Sequence, residues 1–133
     1  MVSLHDLKQI AEIEYSDLVR AAFFVDHKLR ILLKDHSFVD VNLSMKLSGT
    51  FGYHWETLKA GGTFYRYDNF PDPQWRVVST FPYHFHNGSQ EQVESSPFPT
   101  DITDGFRASM DFVRMKIACT HLLVRKILPP RIS

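Results

Sequence analysis

A single cysteine, Cys119, rules out an internal disulfide and makes a reducing cytoplasm the expected compartment. Its apolar, helix-like surroundings predict a buried, inert thiol. Charge of one sign is also lacking. Fifteen basic residues face fifteen acidic ones, so net charge gives no support for a protein that coats nucleic acid, although a local basic patch is compatible with it. No apolar stretch approaches the ~20 residues that span a bilayer. The N-terminus lacks a basic start followed by an apolar run. These absences predict a soluble cytoplasmic protein with no membrane partner. No internal repeat, low-complexity tract or linker divides the 133 residues, so one domain over 1–133 is expected.

What is present is aromatic. Apolar residues make up 44% and aromatics 14%, with eleven Phe and five Tyr, which excludes a disordered chain and favours sheets. "SLHDLKQIAEI" opens on a capping Ser3 with Asp6 three residues on, and predicts a short helix over about residues 4–13. "LVRAAFFV" and "LRILLK" read as strands around a "DHK" turn. Val39, Val41, Leu43, Met45 and Leu47 then alternate with polar residues, which predicts a half-buried strand over 39–48. This strand is the expected sheet edge for a homodimer. "YHWETL", "TFYRYD" and "FPYHFH" follow as strands, with a reversal at "AGG" and a loop at 69–75. Asn87-Gly88 is the predicted hairpin turn before "EQVESS". A long helix capped by Thr100 carries Ile102, Phe106, Met110, Val113 and Ile117 inward until Pro129-Pro130 stops it. Arg107, Arg114, His121 and Arg125 occupy its other stripe, expected to be a solvated face rather than an RNA-binding one. The expected fold is α+β: an antiparallel sheet of about six or seven strands, a short N-terminal helix and a long C-terminal one.

Phase along three strands singles out a candidate site. Tyr53, Trp55, Tyr65, Tyr67, Phe81, Tyr83 and Phe85 fall on one side of their strands. His54, Glu56, Arg66, Asp68, His84 and His86 fall on the other. If the strands are neighbours, burying the rings gathers the ionisable groups on the open face of the sheet. A plain solvated face would show the same pattern, but histidine is an uncommon surface filler. Two histidines can act as general base and general acid, with Arg66 stabilising a phosphorane-like charge and Asp68 orienting a histidine or pairing with Arg66. Those groups suffice for metal-free cleavage of RNA at its 2′-hydroxyl. His-x-His beside a carboxylate also fits zinc or another transition metal, although spacing fixes no third ligand. The acid–base reading is preferred, with no metal and no cofactor. His84, His86, Arg66 and Asp68 are the expected catalytic residues. His54, Glu56, Asn69 and Tyr83 are the expected substrate-binding ones.

"YHW", "FYRYDN", "FPYHFHNG" and "VESSPFPTDITDGF" together resemble a family of small prokaryotic proteins that includes TumE-type toxins of toxin–antitoxin pairs. Its aromatic-Arg-Tyr-Asp-Asn segment matches Arg66 to Asn69. Its Phe-Pro-His-His-x-His run matches Phe81, Pro82, His84 and His86, with Tyr83 in place of the first histidine. The family's Pro-His after Asp-Asn is Pro71-Asp72 here, behind Phe70. Val93, Glu94 and the capped helix complete the likeness, over about residues 50–112. The resemblance implies a small cytoplasmic toxin acting on RNA and neutralised by a cognate antitoxin. A non-enzymatic protein-interaction module and a metal-binding protein are the alternatives.

Overall fold

The computed structural model describes residues 1–57 and 62–127, with side chains through residue 122. Helix α1 (Leu4–Glu14) starts where the sequence predicts, on a reciprocal capping box: Asp6 N–H donates to Ser3 Oγ, and Ser3 N–H donates to Asp6 Oδ2 at 2.8 Å. Seven strands then form one antiparallel meander in chain order: β1 (Val19–Val25), β2 (Lys28–Leu33), β3 (Phe38–Leu43), β4 (Phe51–Glu56), β5 (Phe64–Asp68), β6 (His84–Gly88) and β7 (Val93–Ser95). Helix α2 (Ile102–Ile127) closes the described chain. The fold is α+β with a seven-stranded sheet and two flanking helices.

Both helices cover the same face. Leu7 and Ala11 of α1 and Phe106, Met110 and Val113 of α2 meet Leu29, Ile31, Leu33, Val39, Val41, Phe51, Tyr53, Trp55, Tyr67 and Phe85 in one core. Burying side chains of this size contributes on the order of 2–3 kcal/mol each, far more than any cross-strand polar pair, so the core fixes the register. Tyr hydroxyls that enter the core find partners: Tyr53 Oη donates to Ile102 O, and Tyr67 Oη to Pro99 O. Arg107 and Arg114 bind Glu14 and Asp17, so the basic stripe of α2 partly serves to tie the C-terminal helix to the N-terminal region.

Several local expectations change. The strand at 39–48 stops at Leu43, because Ser44 Oγ accepts the backbone N–H groups of Lys46 and Leu47 and turns the chain. Met45 and Leu47 are therefore exposed. β3 lies inside the sheet between β2 and β4, so it offers no edge for pairing between chains; the edges are β1 and β7. β4 begins at Phe51 rather than Tyr53, and the Leu58 end of the predicted strand lies outside the described residues, as do Ala60 and Gly61 of the "AGG" reversal. β6 begins at His84 rather than Phe81, because the Thr80–Tyr83 turn, closed by Tyr83 N–H to Thr80 O, occupies the residues before it. Asn87 and Gly88 end β6, and the reversal runs through residues 89–92, closed by Asn87 N–H to Gln92 O. Asp101, not Thr100, caps α2 by accepting Asp104 N–H at 3.0 Å. Cys119 is exposed, not buried, because it falls off the Phe106, Met110, Val113 and Ile117 stripe of α2. The Pro129-Pro130 stop and the Arg125 side chain lie outside the described residues.

Candidate functional site

Strand register sets out the ionisable face. Asp40 pairs with His54, His54 with Arg66 and Arg66 with His86, giving one row across four strands. The next row runs Asn42, Gly52, Asp68, His84. Gly52 lacks a side chain in the middle of that row, which leaves a depression between Asn42 and Asp68. The pocket there has a volume of about 740 Å³, and Arg66, Asp68, His54, His84 and His86 line it. That volume lies in the usual range for small-molecule and substrate sites.

The histidines are not displayed on an open face, contrary to the sequence expectation. His84 and His86 are each 1% exposed. The short 3-10 turn Pro73–Trp75 sits over them, with the Trp75 ring centroid 5.9 Å from His84 and 5.5 Å from His86. Asp72 caps that turn by accepting the Gln74 N–H. Sequence reasoning missed Trp75: "NFPDPQW" carries turn chemistry but no periodicity that aims its ring.

Asp68 stands between the two imidazoles. His84 Nε2 is 3.1 Å from Asp68 Oδ1, and His86 Nε2 is 3.8 Å from Asp68 Oδ2. On their other sides, His84 Nδ1 lies 2.8 Å from Pro82 O and His86 Nδ1 lies 3.1 Å from Gln90 O. A carbonyl only accepts, so each Nδ1 carries a hydrogen. His84 thus sits between two acceptors within bonding distance and is satisfied only with hydrogens on both nitrogens, as the cation. Burial opposes that charge, but the Asp68 hydrogen bond, the Pro82 carbonyl and the Asp68 charge outweigh it, and the His84 pKa is raised. His86 has its carboxylate contact beyond hydrogen-bond range, which leaves an Nε2 lone pair. Burial pushes its pKa down, and the Gln90 carbonyl and Asp68 do not compensate.

The second group is a chain of three. Arg66 Nε donates to His54 Nδ1 at 3.0 Å, so the His54 hydrogen is on Nε2 and donates to Glu56 Oε2 at 2.7 Å. His54 is held neutral chiefly by burial, with the Arg66 charge adding to the downward shift against Glu56. Arg30, Arg107 and Arg114 each pair with a carboxylate, whereas Arg66 has no such ion pair among the described residues. Its guanidinium lines the pocket and lies over the Phe64 ring, with Cζ 5.2 Å from the centroid, and its planar fork of donors can take an anion there.

Arg66, Asp68, His84, His86 and His54 come together; Glu56, Asn69 and Tyr83 do not line the pocket. Glu56 acts behind His54. Asn69 is consumed structurally, accepting Phe51 N–H at 2.8 Å and donating to Gly49 O at 2.8 Å. Tyr83 packs on the core side, 6.2 Å from the Phe51 ring. The ligand atoms of Asp68, His84 and His86 lie within 4.8 Å of one another, close enough for one metal ion, and both histidines have the backbone-anchored Nδ1 that metal ligands usually show.

The family model for toxin TumE matches residues 3–117. The chain belongs to the TumE toxin family. The match spans α1, the whole sheet and α2 as far as residue 117, so the pocket lies within what the TumE family model covers. No curated protein and no solved structure matches the chain significantly. Among the described residues, no helix is long and apolar enough to cross a membrane.

Proposed function

We propose that this TumE-family chain is the toxin of a toxin–antitoxin pair and that it acts in the cytoplasm by cleaving RNA without a metal, until a cognate antitoxin protein neutralises it. The observation that carries the chemistry is the unlike bonding of two adjacent histidines around one carboxylate. His86, with its free Nε2 lone pair, takes the proton from a 2′-hydroxyl. The 2′-oxygen then forms a bond to phosphorus as the bond to the 5′-oxygen breaks. His84, held as the cation, gives its Nε2 proton to the leaving 5′-oxygen as the bond from Nε2 to Asp68 opens, and the products are a 2′,3′-cyclic phosphate and a 5′-hydroxyl. Arg66 stabilises the extra charge on the phosphoryl oxygens. Asp68 keeps His84 charged and His84 and His86 correctly placed. Two histidines whose surroundings drive their pKa values apart are what a paired acid and base require.

Inducible expression tests this reading. The native chain arrests growth and degrades cellular RNA. His84→Gln and His86→Gln each slow cleavage by roughly 10²–10⁴-fold and relieve arrest, with native circular dichroism and a lowered melting temperature, because each removes bonds to a buried imidazole. If the folded double variant is equally toxic, the catalytic assignment fails.

One observation favours a second reading. The anchored Nδ1 atoms aim two Nε2 atoms at one carboxylate, which also describes a three-ligand site for a divalent transition metal. Elemental analysis of protein purified without chelator separates the two. Stoichiometric metal whose removal abolishes cleavage supports the second reading, and full activity in excess chelator supports the first.

A further inference from the structure

We infer that the substrate of this pocket is single-stranded RNA, presented as an unstacked nucleotide whose base rests on the exposed ring of Phe70. The inference depends on the ribonuclease reading above and adds the class of RNA and the residue that receives the base.

Depth is the first argument. His84 and His86 are each 1% exposed and lie at the floor of a pocket of about 740 Å³. A-form duplex RNA holds its 2′-hydroxyls in a shallow minor groove on a stiff rod. Such a surface cannot bring a 2′-hydroxyl to Nε2 of a buried imidazole. A single strand can turn one nucleotide inward, and enzymes that work on nucleotides inside a pocket pay least to unstack when the strand is already single. The geometry of attack points the same way. The 2′-oxygen must come into line with the departing 5′-oxygen, and a regular duplex backbone holds it away from that line.

Phe70 is the second argument. It lines the pocket, is 55% exposed and takes no part in the core. A large apolar ring at that exposure contributes little to folding. Yet its position is fixed from behind: its backbone N–H donates to Asp68 Oδ1 at 3.0 Å, the same oxygen that pairs with His84. The backbone that carries the ring is thereby held beside the reacting groups by one carboxylate. Trp75, against both imidazoles, forms a further aromatic part of the lining. Arg66, with no carboxylate partner among the described residues, supplies the charge for the phosphate. An aromatic surface beside a cation is the usual means of holding a single strand, and it tolerates any base because every base offers a π-face.

The test uses one labelled RNA, alone and annealed to its complement, with the native chain and Phe70→Ala. Single strand is expected to be cut and duplex to be cut roughly a hundredfold more slowly, the cost of opening a base pair. Phe70→Ala is expected to raise KM for the single strand about tenfold while kcat stays within about twofold. The Phe70→Ala chain should melt at the native temperature, because the ring is exposed. Duplex cut as fast as single strand, or native KM in Phe70→Ala, overturns this inference and leaves the ribonuclease reading intact. Cleavage of neither RNA overturns that reading and the inference with it. Binding adds a readout free of turnover: His86→Gln should bind the single strand over the duplex by fluorescence anisotropy, and equal binding of the two overturns the inference.

Discussion

His84 and His86 are two residues apart on one strand and both touch Asp68, yet they carry different protons. The difference is a matter of 3.1 Å against 3.8 Å to the carboxylate, with an accepting carbonyl behind each ring. The pH dependence of cleavage follows from it. The proposed cleavage needs His86 neutral and His84 charged. Because His86 is shifted down, its base form is already present below the usual histidine value of about 6.5. Because His84 is shifted up, its acid form persists above that value. The expected kcat/KM profile is a bell with its acid limb below, and its alkaline limb above, about pH 6.5. A single sigmoid, or a bell whose limbs both lie on one side, would contradict the assignment. That His84, His86, Arg66 and Asp68 share one face of the sheet was legible in the sequence because strand side chains alternate with a period of two, so phase alone sorts aromatic from ionisable residues. The place of Asn69 was not legible: its motif position said nothing of the Gly49 and Phe51 backbone groups that occupy it. Strand phase put Tyr83 among the buried rings, where it packs, and it was the substrate-binding assignment that ran against that phase.

Among the elements, α2 has to lie close against the sheet edge of the core, and Gly105 makes that approach. A Cβ at Gly105 would stand 2.9 Å from the carbonyl oxygen of Pro99 and 3.2 Å from Tyr67 Cε2. Helix propensity alone favours Gly105→Ala by about 1 kcal/mol. Backbone cannot give way as a flexible side chain can, and overpacking costs about 1–3 kcal/mol. The net expectation is a destabilised protein, seen as a lower urea midpoint at unchanged slope; a higher midpoint would show that α2 is free to shift. The strand boundaries teach a related lesson. β3 and β6 end or begin where a side chain or a turn captures backbone groups, at Ser44 and at Thr80 to Tyr83. Apolar alternation continues through Met45 and Leu47 regardless, so periodicity overran the strand. The placement of Trp75 depends on where the 69–83 segment folds back, which no local pattern encodes.

Viewed as a whole molecule, the sheet has one face closed by two helices and the other recessed into a pocket walled by the 44–50 turn and the 70–75 segment. Net charge near zero gives no broad attraction to RNA, so capture has to come from the pocket itself. In the proposed function Arg66 and Phe70 are the groups that would supply it. The central claim is that the two imidazoles move protons to and from RNA oxygens with no metal between them, and the ends of the cut RNA report on this most directly. In chelator, the purified native chain should leave 2′,3′-cyclic phosphate and 5′-hydroxyl ends, and a single 2′-deoxy substitution at the cut site should block cleavage there. Ends bearing 3′-hydroxyl and 5′-phosphate, or cleavage that proceeds through the 2′-deoxy position, would contradict it.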